Sequence, residues 1–184
     1  MDRLIRQIAR LSALAGGVVL LALVGMICAS VLGNATLKLA QMAWVQSTLP
    51  GLAEGMRAAG IGPIRASYEL VEIGVAFVIF AFLPWVQITR GHAMVEVFTA
   101  RLPARADAAL AALWEVLMAA AMVLIAWRLY AGMLGKVKNA ETTFLMQIPL
   151  WWAYAACLVA ACLAALVTLW ATVAALRRAA RAWA

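Results

Sequence analysis

Glu69, Glu72, Glu115 and Arg128 stand within long apolar runs, and His92 is the only histidine among 184 residues. Carboxylates in such a setting can hold a coupling cation or relay a proton, and an arginine at the same depth can instead neutralise one of them. A histidine can ligate a metal or haem, or carry a proton near neutral pH. The pattern restricts these chemistries. A membrane protein holding several haems needs histidines on facing spans, and one histidine does not supply them. Ion sites of secondary transporters lie near the bilayer midplane beside interrupted helices, whereas Glu69 and Glu72 fall near the start of their run. There is no phosphate-cradling glycine loop, Cys/His cluster or nucleophile–base–orienter set. Neither an enzyme nor a bound cofactor is expected.

The elements that would position these groups are membrane helices. The sequence is 67% hydrophobic and 12% charged, against about half apolar and roughly 25% charged in soluble domains. Apolar runs lie near 11–33, 68–89, 108–131 and 149–173. Each gives roughly 33–38 Å of helix, enough to cross a hydrocarbon core of about 30 Å. The prediction is an all-α integral membrane protein, a single domain of four transmembrane helices over 1–184. Arg3, Arg6 and Arg10 before the first run also suit a secretory signal, with Gly33-Asn34-Ala35 as a faint cleavage site. That run exceeds a signal core of about 7–15 residues, so it is read as a retained first span.

Basic residues orient the spans. With the N-terminus inside, Arg3, Arg6, Arg10, Arg90, Arg101, Arg105, Arg177, Arg178 and Arg181 are cytoplasmic, while Lys38, Arg57, Arg65, Lys136 and Lys138 are outside. This bias predicts both termini in the cytoplasm. The net charge of +7 then serves orientation and contact with anionic lipids. No basic stripe interleaved with exposed aromatics calls for nucleic acid as a partner. Trp85, Trp114 and Trp170 fall near inner span ends, and Tyr68, Trp127, Tyr130, Trp151, Trp152 and Tyr154 near outer ones, as two interfacial belts would. Cys28, Cys157 and Cys162 lie within spans and read as small structural residues.

Depth decides which intramembrane charges can meet. Glu115 and Arg128 are thirteen residues apart, roughly 20 Å of helix rise, and cannot pair. Glu72 of span two and Arg128 of span three lie at matching depth with opposite sign, so an ion pair between those spans is predicted, with Glu69 as a more exposed helper. Glu115 is expected to meet Arg90, Arg101, Arg105 or a partner chain. Pro84, near the inner end of span two, is expected to kink it. The alanines of span four give it a face suited to close packing on a neighbour or partner.

Two connections carry further expectations. Residues 34–66 form a long periplasmic connection. Its "TLKLAQMAWVQSTLP" stretch is read as a short interfacial helix, or as the end of a longer first helix projecting outward, before a turn-rich return. After span two, "RGHAMVEVF" (90–98) leads into an apolar stripe of Met94, Val95, Phe98 and Leu102, with Glu96, Arg101 and Arg105 off it. This predicts a cytoplasmic amphipathic helix on the membrane surface. His92 there is read as capping a helix or meeting a lipid phosphate.

The order of these features resembles the small, DctQ-like membrane subunit of tripartite ATP-independent periplasmic (TRAP) transporters. Such subunits have four spans, an acidic residue opening span two, an Arg/Gly-His-x-x-Val-Asp-like segment after it, and an Ile-Pro-x-Trp-like entry to span four. The counterparts are "SYELVE" (67–72), "RGHAMVEVF", and "TTFLMQIPLWWAY" (142–154) with Pro149, Trp151 and Trp152. Glu96 stands where the family more often has Asp, and the 34–66 connection is longer than in shorter members. The resemblance implies a scaffold for a large membrane subunit that carries the substrate and sodium sites. It also implies a periplasmic substrate-binding protein that delivers an organic acid, in secondary active transport at the bacterial inner membrane. Arg90, His92, Glu96, Arg101 and Arg105 would then anchor the cytoplasmic surface. Two other classes are compatible with the residues alone: a self-contained homodimeric transporter, and an accessory subunit of a membrane enzyme complex.

Overall fold

The computed structural model describes residues 2–42, 51, 55, 64, 66–89 and 103–183. Four long helices follow in order: α1 (Asp2–Ala40), α2 (Ser67–Thr89), α3 (Ala104–Lys138) and α4 (Leu150–Trp183). Each is long and apolar enough to cross a bilayer. The chain is therefore all-α, as its composition predicts.

The helices outrun the apolar runs because a hydropathy run marks the bilayer, while a helix ends where its formers run out. α1 has 39 residues, about 58 Å, and continues past Gly33 to Ala40. Thr36 is accommodated by donating its hydroxyl back to the carbonyls of Leu32 and Gly33 at 3.0 and 2.9 Å. The first helix thus runs seven residues past Gly33, and residues 43–50, on which the choice between the two readings of this stretch depends, lie outside those described. Pro103 precedes α3 with φ −62° and ψ 146°. Its carbonyl accepts the amides of Ala106 and Asp107, and Asp107 lies in the positive first turn, which favours a carboxylate. Pro84 is the largest fully buried side chain among the described residues, and α2 continues beyond it to Thr89. The expected surface helix and its residues Arg90, His92, Glu96 and Arg101 lie outside the described residues.

Lateral order governs what the charges can touch. α1 packs beside α2, α2 beside α4 and α4 beside α3, with a lighter contact between α1 and α4. The helices thus stand in a row, α1–α2–α4–α3, with α4 the most buried span and α1 and α3 the least. The small residues of α4 make this possible: Ala160, Ala161, Ala164 and Ala165 are all buried, and Ala164 and Ala165 pack with Met122 of α3 and Leu83 of α2. The alanine face of span four is therefore used within the chain. α1 is seated by equally close fits. Ser12 donates to the carbonyl of Ala81 at 2.8 Å, and a Cβ on Gly74 would stand 2.6 Å from Cδ1 of Leu23.

Candidate functional site

Polar contacts gather at the two ends of the row. At one end, α3 closes with a left-handed cap. The amide of Ala140 donates to Val137 and that of Glu141 to Lys136, both at 3.3 Å, while Ala140 adopts φ 48°. This is the Schellman arrangement, which usually has glycine at the left-handed position. Lys136 then meets Glu141 in the only ion pair among the described residues, at 2.5 Å. Asn139 donates to the second oxygen of Glu141 at 3.1 Å. Lys136 first, and Asn139 second, hold the Glu141 carboxyl below the ordinary glutamate range.

The chain next forms a short hairpin-like loop. Thr142 and Pro149 bridge antiparallel, and the amide of Thr143 donates to Ile148 at 2.9 Å. The hydroxyl of Thr143 accepts the Ile148 amide at 3.1 Å. Gln147, at φ 56°, turns the chain back. Between these closures Phe144, Leu145 and Met146 are exposed, Phe144 by 90%. Glu69, in the first turn of α2, reaches this loop: its Oε1 accepts the Leu145 amide at 2.6 Å and its Oε2 the Met146 amide at 3.1 Å. A carboxylate bridging two consecutive amides fixes both the loop and the helix that bears it. Pro149 accepts the amide of Trp152 at 3.1 Å, and Trp151 meets Trp152 edge to face at 5.7 Å. The acidic opening of span two and the entry to span four, separate stretches in the sequence, thus form one structure.

At the opposite end, Glu115 of α3 accepts a hydrogen bond from Gln87 Nε2 of α2 at 2.5 Å. Its backbone carbonyl accepts from the hydroxyl of Thr172 of α4 at 2.9 Å. Gln87 and Thr172 are buried, so three helices join through a polar layer inside apolar surroundings. Satisfied polar groups are what such a layer requires.

Several predicted contacts differ. Glu72 and Arg128 form no ion pair: both are exposed, and no salt bridge among the described residues joins them. Matching depth was not adjacency: α2 packs on α1 and α4, and it meets α3 at Gln87 and Glu115, toward the other end of the helices. Glu69 is no helper to that pair but the anchor of a loop. Among the described residues Glu115 takes the neutral amide of Gln87; Arg105 is exposed, some ten residues or about 15 Å away along α3, and Arg90 and Arg101 lie outside the described residues. Sequence reasoning missed Gln87 and Thr172, although a glutamine in an apolar span was a legible signal. No group of three or more metal-binding side chains occurs among the described residues.

Four bilayer-length helices joined by polar contacts at both ends define a multi-pass membrane protein. Residues 55–179 match the family model described as tripartite ATP-independent periplasmic transporters, DctQ component, and the chain belongs to that family. It is a small membrane subunit of a transporter type that works with a large membrane subunit and a binding protein, and the family is one of transporter components rather than enzymes. No curated protein and no solved structure matches it.

Proposed function

We propose that this subunit is a rigid scaffold that holds the large membrane subunit in the bilayer during ion-coupled, binding-protein-dependent uptake of an organic acid. The observation that carries the reading is the helix row with a tie at each end, Glu69 to the loop and Gln87 to Glu115. A row tied at both ends resists splaying, and its outer helices α1 and α3 leave most of their apolar surface uncovered. Such surface suits either lipid or a large intramembrane partner. Solute and sodium bind on the large subunit in this scheme, and this chain carries no cofactor. The chain forms one domain in the bacterial inner membrane, with both termini cytoplasmic. Arg105, Arg177, Arg178 and Arg181 then meet anionic lipid at the inner surface.

The test is co-purification followed by reconstitution. A tagged chain co-expressed with its large subunit should retain it stoichiometrically in mild detergent. Proteoliposomes holding both subunits should take up solute only with the binding protein and a sodium gradient. Uptake by the large subunit alone at the full rate would refute the scaffold role.

A further inference from the structure

An open groove of about 540 Å³ lies at the Glu69 end of the fold, and α2, α3 and α4 all contribute to its lining. From α2 it takes Glu69, Glu72, Ile73, Ala76 and Phe80, which recur at intervals of three and four residues and so share one helix face. The rest of the lining is mostly apolar, and it holds no lysine, arginine or histidine. Its two carboxylates differ. Both oxygens of Glu69 accept loop amides. Glu72 is exposed and has no hydrogen bond or ion pair among the described residues. Arg128 does not line the groove, and Lys136, whose charge is felt by the lining residue Tyr154, is held by Glu141. Glu72 is also deep for a free charge. α2 has 23 residues, about 34 Å against a hydrocarbon core of about 30 Å, so its midpoint at Val78 lies close to the bilayer centre. Glu72 stands six residues before Val78, about 9 Å of rise, which leaves its backbone about 6 Å inside the apolar layer. An ionisable group there is costly unless it is paired.

We propose that the large membrane subunit docks on this groove, one of its transmembrane helices inserting a lysine or arginine whose charged end meets Glu72. The apolar stem of that side chain lies along Ile73, Ala76 and Phe80, as long basic side chains do on apolar surface. The inference rests on the scaffold reading and gives it a place of contact. Charge selects this occupant. A groove with two carboxylates and no cation in its lining has nothing to receive a phosphate, so a phospholipid, zwitterionic or anionic, brings an anion to the wrong surface. A bare metal ion satisfies Glu72 but leaves the apolar lining uncovered. Size agrees with charge. A helix is about 10–12 Å across with its side chains, so one crossing a groove of about 540 Å³ fills it with side chains and keeps its backbone outside. A charge pair formed across two chains also fixes their register.

The test uses the full-length tagged chain co-expressed with its large subunit. A photoreactive phenylalanine derivative at position 73 should cross-link to the large subunit, and the captured segment should carry a lysine or arginine within a membrane span. Glu72→Lys should lower the amount of large subunit retained in mild detergent by at least about tenfold. Glu72→Gln should lower it less, and Glu72→Asp, which keeps the charge, should stay near the wild type. Exchanging the captured basic residue for glutamate should restore retention to the Glu72→Lys chain. Glu72 has no partner within the fold, and equal amounts of each variant in the membrane verify insertion. Cross-linking of position 73 to lipid alone, or to a second copy of this chain, would overturn the proposal. So would retention that is indifferent to the charge at position 72. Retention of the large subunit by the wild type tests the scaffold role, whereas the cross-link and the position-72 series test the groove, so the two fail separately.

Discussion

The two ends of the helix row solve the same problem with different donors. At one end Glu69 accepts two backbone amides of a loop; at the other Glu115 accepts a side-chain amide from a neighbouring helix. Neither carboxylate takes an arginine among the described residues. A carboxylate in an apolar setting needs donors aimed at it, and neutral donors already attached to the fold serve without bringing a second charge out of water. The difference lies in what each tie controls. The Glu69 tie shapes a loop at the surface, where water can replace a lost donor; the Glu115 tie holds helices together where water is scarce.

That contrast predicts the largest stability loss at the Glu115 end. Gln87→Leu, which leaves the Glu115 carboxylate without this donor, should destabilise the chain by about 2–3 kcal/mol. The thermal midpoint in detergent checks this. Glu115→Gln, which keeps a hydrogen-bonding side chain, should cost less than about 1 kcal/mol. Equal losses for the two variants would break the distinction between removing a donor and neutralising a charge.

At the Glu69 end the expected effect is local. Glu69→Ala should raise hydrogen exchange of the Leu145 and Met146 amides by about tenfold or more, while amides within α3 keep their protection. Smaller still is the benefit of Ala140→Gly. Relief of the left-handed conformation should stabilise the α3 cap by up to about 1 kcal/mol, offset in part by the added freedom of the unfolded chain. A rise in the thermal midpoint is the measurement. The smallest effect is in titration. The folded Glu141 carboxyl is held low by Lys136 and Asn139. Its contribution is therefore present above the unfolded glutamate value of about 4.3 and is lost as pH falls through the lower folded value. The carboxyl carbon resonance of Glu141 should titrate below the ordinary glutamate range, and Lys136→Met should move it back up.

The number and class of the helices were legible because apolar runs are long and chemically distinct. Their ends were less so. The stretch after Gly33 loses hydrophobicity without losing the capacity to stay helical, so α1 continues to Ala40. The ion pair assigned to Glu72 and Arg128 followed from depth alone, and depth carries no information on lateral order. That order depends on where small residues permit close approach, and the alanines of α4 were readable as a packing face but not as the surface on which both α2 and α3 pack. The Glu69 tether was hidden for another reason: every residue has a backbone amide, so its partners leave no mark in the sequence. Only the presence of two family-like stretches at the same membrane end hinted at it. Gln87 could have been recognised, since a buried amide in a span must find a partner.

A row of helices one layer thick behaves mechanically as a strip. Bending it out of its own plane only tilts one helix against the next, while stretching it across its width must separate packed alanines and break the fastenings at its edges. On the scaffold reading proposed above, such a strip would conform to the flank of a larger body while holding the distance between its two outer helices nearly constant.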